Sequence, residues 1–425
     1  MFIMTDINTI PAGYKLLQAH LILRHGDRAP TSNIYSSPPS SSSSIGIAAS
    51  IKATAETSYW TAQMPSPLTL SSLSTMFPVN FLDTTDTNNF SKLENTNKNY
   101  PFGLLTTRGL FGTFSLGAAL RKLYIEDNDL LPKQESCTAN PHSISARSTA
   151  MKRTVQSCQS VLHGFCAPSN SNELGVVQVN VETGKALEMP NFGFMREKCP
   201  ALIKQWQASL NTEHSKQVEQ DTMPLVQELA TFYPYLRSQG MSHTSKLLKA
   251  FDHFKTHQAH GLETAQGTRK ETMSELKTWA RDHFWRLYAN QHAIQTTLMM
   301  TRILTAMENR VLNVNDRKVP RLCIYSGHDT TVMPTLATLM LVNPTPDEEW
   351  PPYGAHVRLE LLHKEYEFDA AAPKHFVRIV YQEKSIIRSM DEFKALILSQ
   401  RTMNFVEECK DSDASEGINP FQDNR

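Results

Sequence analysis

At 425 residues, with 40% hydrophobic and 20% charged side chains, the chain has the composition of a folded globular protein and the length for one large core or two domains. Lysine plus arginine and aspartate plus glutamate each total 42, so no global field draws it to nucleic acid or an anionic membrane, and any affinity for anions must be local. It contains no run of about 18 uninterrupted apolar residues that would form a transmembrane helix.

Residues 1–11 lack a basic region followed by a sustained apolar stretch, so no signal peptide is expected, and on that ground a cytoplasmic location. Ala19 and Leu21 to Leu23, with His20 among them, form an apolar run too short for a helix and read as a buried strand. It runs into a charged turn, Arg24-His25-Gly26-Asp27-Arg28-Ala29-Pro30. Two arginines bracketing a histidine need an anion between them, and the guanidinium fork fits a tetrahedral phosphoryl group better than an ammonium does. An imidazole held there can attack phosphorus. The competing reading is a surface turn in which Arg24, Asp27 and Arg28 pair with one another.

From residue 31 to 100 the chain turns polar, with Ser40 to Ser44 in one tract, and predicts a long excursion with short ordered pieces near Tyr59-Trp60 and Phe77 to Phe81. Asn89-Phe90-Ser91 is a formal glycosylation sequon. Leu110, Phe111, Phe114 and Ala118 recur at helical spacing and predict a helix over Thr107 to Ile125. A strand near Ser143 to Ala146 then delivers Arg147 to a helix capped by Ser148 or Thr149. Residues 191–312 read as mostly helical. His257 and His260, three apart there, could in principle bind metal, but no carboxylate motif completes a site. Val319 to Tyr325 predicts a strand ending at Ser326-Gly327-His328-Asp329, with Asp329 or Thr330 as cap of the next helix. Residues 355–362 and 375–381 alternate and predict an antiparallel pair at the sheet edge. The tail beyond residue 408 is acidic and polar, with a chance-level Asn419-Pro420-Phe421 motif, and predicts disorder.

His25, Arg147 and His328 thus all fall at carboxyl ends of strands. In open α/β sheets loops converge there and helix N-termini face anions, so the three can meet around one phosphate. Had they not met, Arg24, Arg28 and Arg147 would stand without acidic partners in the sequence.

Three segments in order carry a family resemblance. Arg24-His25-Gly26-Asp27-Arg28-Ala29-Pro30 resembles the R-H-G-x-R-x-P signature of the histidine acid phosphatases, Ser326 to Thr331 their H-D segment, and Arg147-Ser148-Thr149 with Arg153-Thr154 their R-S-T-x-x-x-R-T segment. Gly103 to Gly109 and Pro351-Pro352-Tyr353 match further family positions. The resemblance implies an α/β three-layer sandwich with a central mixed, mostly parallel sheet flanked by helices. Its core would be 12–190 and 313–405 with the 31–100 excursion, carrying a helical insert over 191–312, before a tail at 409–425. It implies a phosphomonoesterase acting at acidic pH, with His25 as nucleophile, Asp329 as proton donor, and Arg24, Arg28, Arg147 and His328 binding the phosphate, without metal or cofactor. Arg153 and Asp27 take supporting places. The substrate would be a small-molecule, lipid or sugar phosphate monoester, not nucleic acid, and a homodimer stays open.

Six cysteines include no C-x-x-C pair. The segment Cys199-Pro200 resembles a position that secreted relatives bond to a cysteine near the C-terminus, which implies Cys409 as partner, whereas Cys158 and Cys323 read as small apolar residues. A phosphoglycerate-mutase-like enzyme lacks the Arg-x-Pro supplied by Arg28 and Pro30. An inositol polyphosphate phosphatase and an inactive phosphate-ester binder are the alternatives.

Overall fold

The computed structural model of the chain describes residues 9–36, 47–82, 99–132, 141–166, 177–182, 187–191, 199–263, 268–341, 350–365, 373–401 and 404–409. The Ser40 to Ser44 tract, the Asn89 sequon and the Asn419 motif lie outside them.

The organising strand is β1 (Tyr14–Arg24), nine of whose eleven residues are buried. Leu17 and Ile22 join the core on one face of the sheet, while Leu16, Ala19, Leu21 and Leu23 join the core on the other. The switch of parity at Leu16 and Leu17 coincides with an irregularity in the register between Leu16 and Gln18, where one extra residue rotates the alternation.

The eight described strands are β1, β2 (Val79–Phe81), β3 (Ile144–Thr149), β4 (Val179–Glu182), β5 (Leu322–Gly327), β6 (His356–Lys364), β7 (His375–Tyr381) and β8 (Lys384–Ser389). They form one sheet in the order β2-β4-β3-β5-β1-β6-β7-β8. The β2 to β1 half is parallel, and β6, β7 and β8 pair antiparallel to their neighbours. The expected mixed, mostly parallel sheet is therefore present. The 355–362 segment is not at the edge, however: β6 lies against β1, and β8, whose residues are only partly buried, is the edge.

The helices, numbered in chain order, are α1 (Ile47–Ala62), α2 (Pro67–Met76), α3 (Thr107–Arg121), α4 (Lys152–Phe165), α5 (Pro200–Leu210), α6 (Glu213–Phe232), α7 (His243–Ala259), α8 (Thr272–Leu312), α9 (Asp329–Thr338) and α10 (Met390–Gln400), before a last turn, Phe405–Glu408. Helices α3 and α4 cover one face of the sheet. Helices α5 to α9 share a second core with the other face, which makes three layers. The polar 31–100 stretch holds two full helices where only short pieces were expected. In α1 only Glu56 and Trp60 are buried, so its sequence shows little amphipathic contrast. Helix α3 stops at Arg121 and continues as a wider turn over Lys122–Glu126.

Cys199 and Cys409 form a disulfide across 210 residues, fastening the start of α5 to the last described turn. Cys166 is also disulfide-bonded, and Cys158 and Cys323 are buried free thiols. Among the described residues, no helix is long and apolar enough to cross a membrane.

Candidate active site

Where β1 ends, its last residues are held from both sides. Arg24 donates its backbone N–H to Ala355 (2.8 Å) and His25 to Gly327 (2.9 Å), and the Gly354 N–H returns to the His25 carbonyl (3.1 Å). The chain then turns under α3, and a Cβ on Gly26 would stand 2.4 Å from the Gly109 carbonyl oxygen, so only glycine allows this approach. These contacts bring the His25 and His328 rings to 5.4 Å between centroids.

The tautomer of His25 follows from its partner. Its Nδ1 lies 2.8 Å from the Gly26 carbonyl oxygen, which can only accept, so Nδ1 carries the proton and Nε2 the lone pair. Burial first, then the charges of Arg153, Arg24, His328 and Arg28, push its pKa well below the ordinary value and favour the neutral ring. Burial, then Arg153, lowers His328 as well; its Nε2 meets the Thr149 hydroxyl at 3.1 Å.

Four arginines surround or approach this pair, and their partners differ. Arg24 contacts the Asp329 carboxylate (2.9 Å), donates to the Pro351 carbonyl and lies 4.3 Å from the Tyr353 ring centroid. Arg28 pairs with Asp252, whose carboxylate also accepts from the Thr31 N–H (2.7 Å) and hydroxyl (3.0 Å). Arg147 donates Nε to Glu182 (2.5 Å) and approaches Glu188 (3.6 Å). Arg153 has no carboxylate partner among the described residues: its Nη1 reaches the Gly103 carbonyl at 3.4 Å and its buried Nε bonds nothing. Burial, then the charge of Arg28, brings its pKa down to about 9.

Arg24, Arg28 and Arg147 do have acidic partners, supplied by residues far away in the chain. And of the two arginines in the third motif, Arg153 is the one whose charge acts on His25 and His328, whereas Arg147 is engaged with Glu182 beside β4. The physical reason is the turn between β3 and α4. The strand runs to Thr149 and the helix starts only at Lys152, with Met151 in the cap position in place of Ser148 or Thr149, so the first helical turn carries Arg153 inward.

Asp329 opens α9, where its Oδ1 accepts from the Thr330 N–H (2.9 Å) and its Oδ2 from the Trp350 indole (3.1 Å). Burial pushes its pKa up, but Arg24, Lys255, His328 and Arg28 outweigh burial and hold the carboxyl far below the ordinary range. Asp27 accepts from Thr106 (2.5 Å) and from His260 (2.7 Å), and so ties the turn to α3 and α7. Helix α7 also contributes Lys255, whose buried Nζ has no hydrogen-bond partner among the described residues and lies 4.7 Å from the Trp350 ring centroid. Asp252, Lys255 and Trp350 carried no local sequence signal, because each acquires its place only when α7 and the 350–354 segment close over the strand ends.

Comparison with known proteins bears on this arrangement. The description "Histidine phosphatase superfamily (branch 2)" matches residues 15–382. The chain belongs to that superfamily. Counting factor 60 of Dictyostelium discoideum is 24% identical over 321 residues, covering 73% of this chain and 72% of that protein. Lysophosphatidic acid phosphatase type 6 of Bos taurus is 27% identical over 294 residues, covering 66% of this chain and 61% of that protein. The structure resembles the phytase of Citrobacter braakii, with a TM-score of 0.54, 16% identity and coverage of 93% of this chain and 99% of that one. It also resembles the Hafnia alvei phytase in complex with myo-inositol hexakis sulphate, at a TM-score of 0.54 and 15% identity over 93% and 99% of the two chains. At such identities the structural likeness shows the fold. Phosphomonoester hydrolysis through a phosphohistidine is the generic chemistry of the histidine phosphatase superfamily's acid-phosphatase branch.

Proposed function

We propose that this chain hydrolyses phosphate monoesters at acidic pH through a phosphohistidine on His25. The observation that carries the reading is a neutral His25 with its Nε2 lone pair free, buried among Arg24, Arg28 and Arg153. The phosphoryl oxygens fit where these guanidinium groups converge with His328, and Arg153, which has no carboxylate partner among the described residues, is the strongest single claim on a bound anion. Arg147 takes the supporting place: it holds Glu182 and steadies the strand end.

Attack by Nε2 in line with the leaving oxygen moves the phosphoryl group to His25 while the cations stabilise charge on the equatorial oxygens. Asp329 then protonates the departing alcohol. Beside Arg24 and Lys255 its carboxyl is ionised. A dianionic ester neutralises Arg24 and repels the carboxylate, so its pKa rises when the substrate is bound, and the demand for that proton places the optimum in acid. Water, deprotonated by Asp329, hydrolyses the phosphohistidine. Three guanidinium groups supply the charge neutralisation, with His328 as a neutral donor, so an added divalent ion has no part in this step.

The lysophosphatidic acid phosphatases, of which the chain spans about 61% of the length, support a small monoester as substrate. So does the pocket wall, where Phe251 and Trp350 flank Lys255 and offer apolar surface with one cation. A lipid or sugar phosphate with one phosphoryl group suits that wall better than a polyphosphate.

The test is hydrolysis of an aryl phosphate from about pH 4 to pH 8 with a chelator present, for wild type and His25→Ala. The expected result is chelator-resistant acid activity that falls by about a thousandfold or more in the variant. Activity surviving in His25→Ala would overturn the assignment of the nucleophile.

A further inference from the structure

Away from the reaction centre, α1 and α7 enclose a second cluster of chemically potent groups. Glu56 of α1 and His253 and His257 of α7 are 7%, 1% and 5% exposed. The histidines are four apart, so both rings leave the same face of α7. Glu56 Oε1 lies 2.8 Å from His257 Nε2 and 3.7 Å from His253 Nδ1. One ligand atom from each of the three falls within 4.8 Å of the others. Trp60 donates its indole N–H to the same carboxylate (2.7 Å), which orients it.

Among the described residues, neither ring nitrogen of His253 has a hydrogen-bond partner, and His257 Nδ1 has none. A buried polar group without a partner is uncommon, and an ion pair between Glu56 and His257 alone leaves His253 unexplained. Aromatic neighbours do not resolve it: the rings of Tyr35 and Tyr233 stand 5.5 and 5.4 Å from that of His253 and offer edges and faces, not acceptors aimed at its nitrogens.

We propose that Glu56, His253 and His257 form a binding site for a divalent transition-metal ion such as Zn2+. Two imidazoles and one carboxylate suit that class of ion and not calcium or magnesium, which prefer all-oxygen shells. Bonds of about 2.0–2.1 Å around a tetrahedral ion separate its ligand atoms by about 3.3 Å, and the observed 2.8 and 3.7 Å bracket that spacing. Water would complete the coordination. The ion takes no part in phosphoryl transfer. It fastens the polar-stretch helix α1 to α7, which carries Asp252 and Lys255 toward the reaction centre and whose cap, His260, holds Asp27.

The decisive experiment strips the full chain with a chelator, then titrates it with Zn2+ by calorimetry and follows thermal unfolding. Uptake of one ion with a rise of several degrees in the unfolding midpoint is expected. His253→Ala should lower the affinity by about 100-fold or more. Glu56→Gln should do the same while keeping an acceptor for Trp60, so a loss there is not a failure to fold. X-ray absorption on Zn2+-loaded wild type needs no variant and should show two imidazole ligands. No uptake by wild type, unchanged affinity in either variant, or a shell without imidazole would overturn the proposal.

Discussion

The floor and the wall of the reaction site are built differently. The floor comes from strand ends in the parallel half of the sheet: Arg24 closes β1 and His25 follows it, His328 and Asp329 follow β5, and Arg153 sits in the first turn of α4 after β3. The wall comes from one face of α7, where Asp252, Lys255 and His260 arrive from some 220 residues further along the chain than Arg28. On the proposed mechanism the floor holds the groups that must meet phosphorus within fractions of an ångström, and the wall orients them.

Variants can break this contrast in order of expected effect. After His25, the floor arginine matters most: Arg153→Ala should lower kcat by about 10² to 10³, as loss of a transition-state donor does. Arg147→Ala should instead cost stability, roughly 3 kcal/mol, because Glu182 is left buried and unpaired, while kcat stays within about tenfold. Steady-state kinetics beside chemical denaturation separate the two, and the reverse pattern would return Arg147 to the site. Asp329→Asn should lower kcat by about 10² for alkyl phosphates but far less for a nitrophenyl ester, whose leaving group needs no proton. Equal losses on both substrates would deny Asp329 the role of acid. In the wall, Asp252→Asn should cost about tenfold in kcat/KM through a loosened Arg28.

A smaller effect concerns pH and stability. Burial lowers His20 to about 3 and holds His25 and His328 well below their ordinary value. Groups whose folded pKa is depressed favour the folded state above their unfolded pKa, near 6.5 for histidine, and that contribution fades as pH falls. The unfolding midpoint should therefore decline between pH 7 and pH 4, and inorganic phosphate, which binds only the folded site, should recover part of it. A midpoint that rises on acidification would contradict the neutral assignment of these rings.

Much of the floor was legible because its signals are local. A short apolar run meeting Arg24 to Arg28 announces a strand end with an anion site, and the stretch from Ser326 to Asp329 does the same. The third arginine was not legible in the same way. Arg147 and Arg153 are six residues apart, and which one faces the site depends on where β3 stops and α4 begins, a boundary that Ser148 and Thr149 place too early because both are good caps. The wall was invisible, since Asp252 and Lys255 are ordinary polar residues of a helix until the fold sets them against Arg28 and Trp350. The Glu56 cluster was missed for the same reason: the sequence suggested His257 with His260, whereas His257 meets His253 and a carboxylate from α1. Likewise 355–362 looked like an edge because alternation reports one polar face and cannot report a neighbouring strand on each side.

The most direct test is rapid quenching of wild type with a labelled aryl phosphate, followed by identification of the phosphorylated atom. Base-stable, acid-labile phosphate on Nε2 of His25 is expected, since Nδ1 is held by the Gly26 carbonyl. Label on Nδ1, on another residue, or no covalent label during turnover would contradict the account.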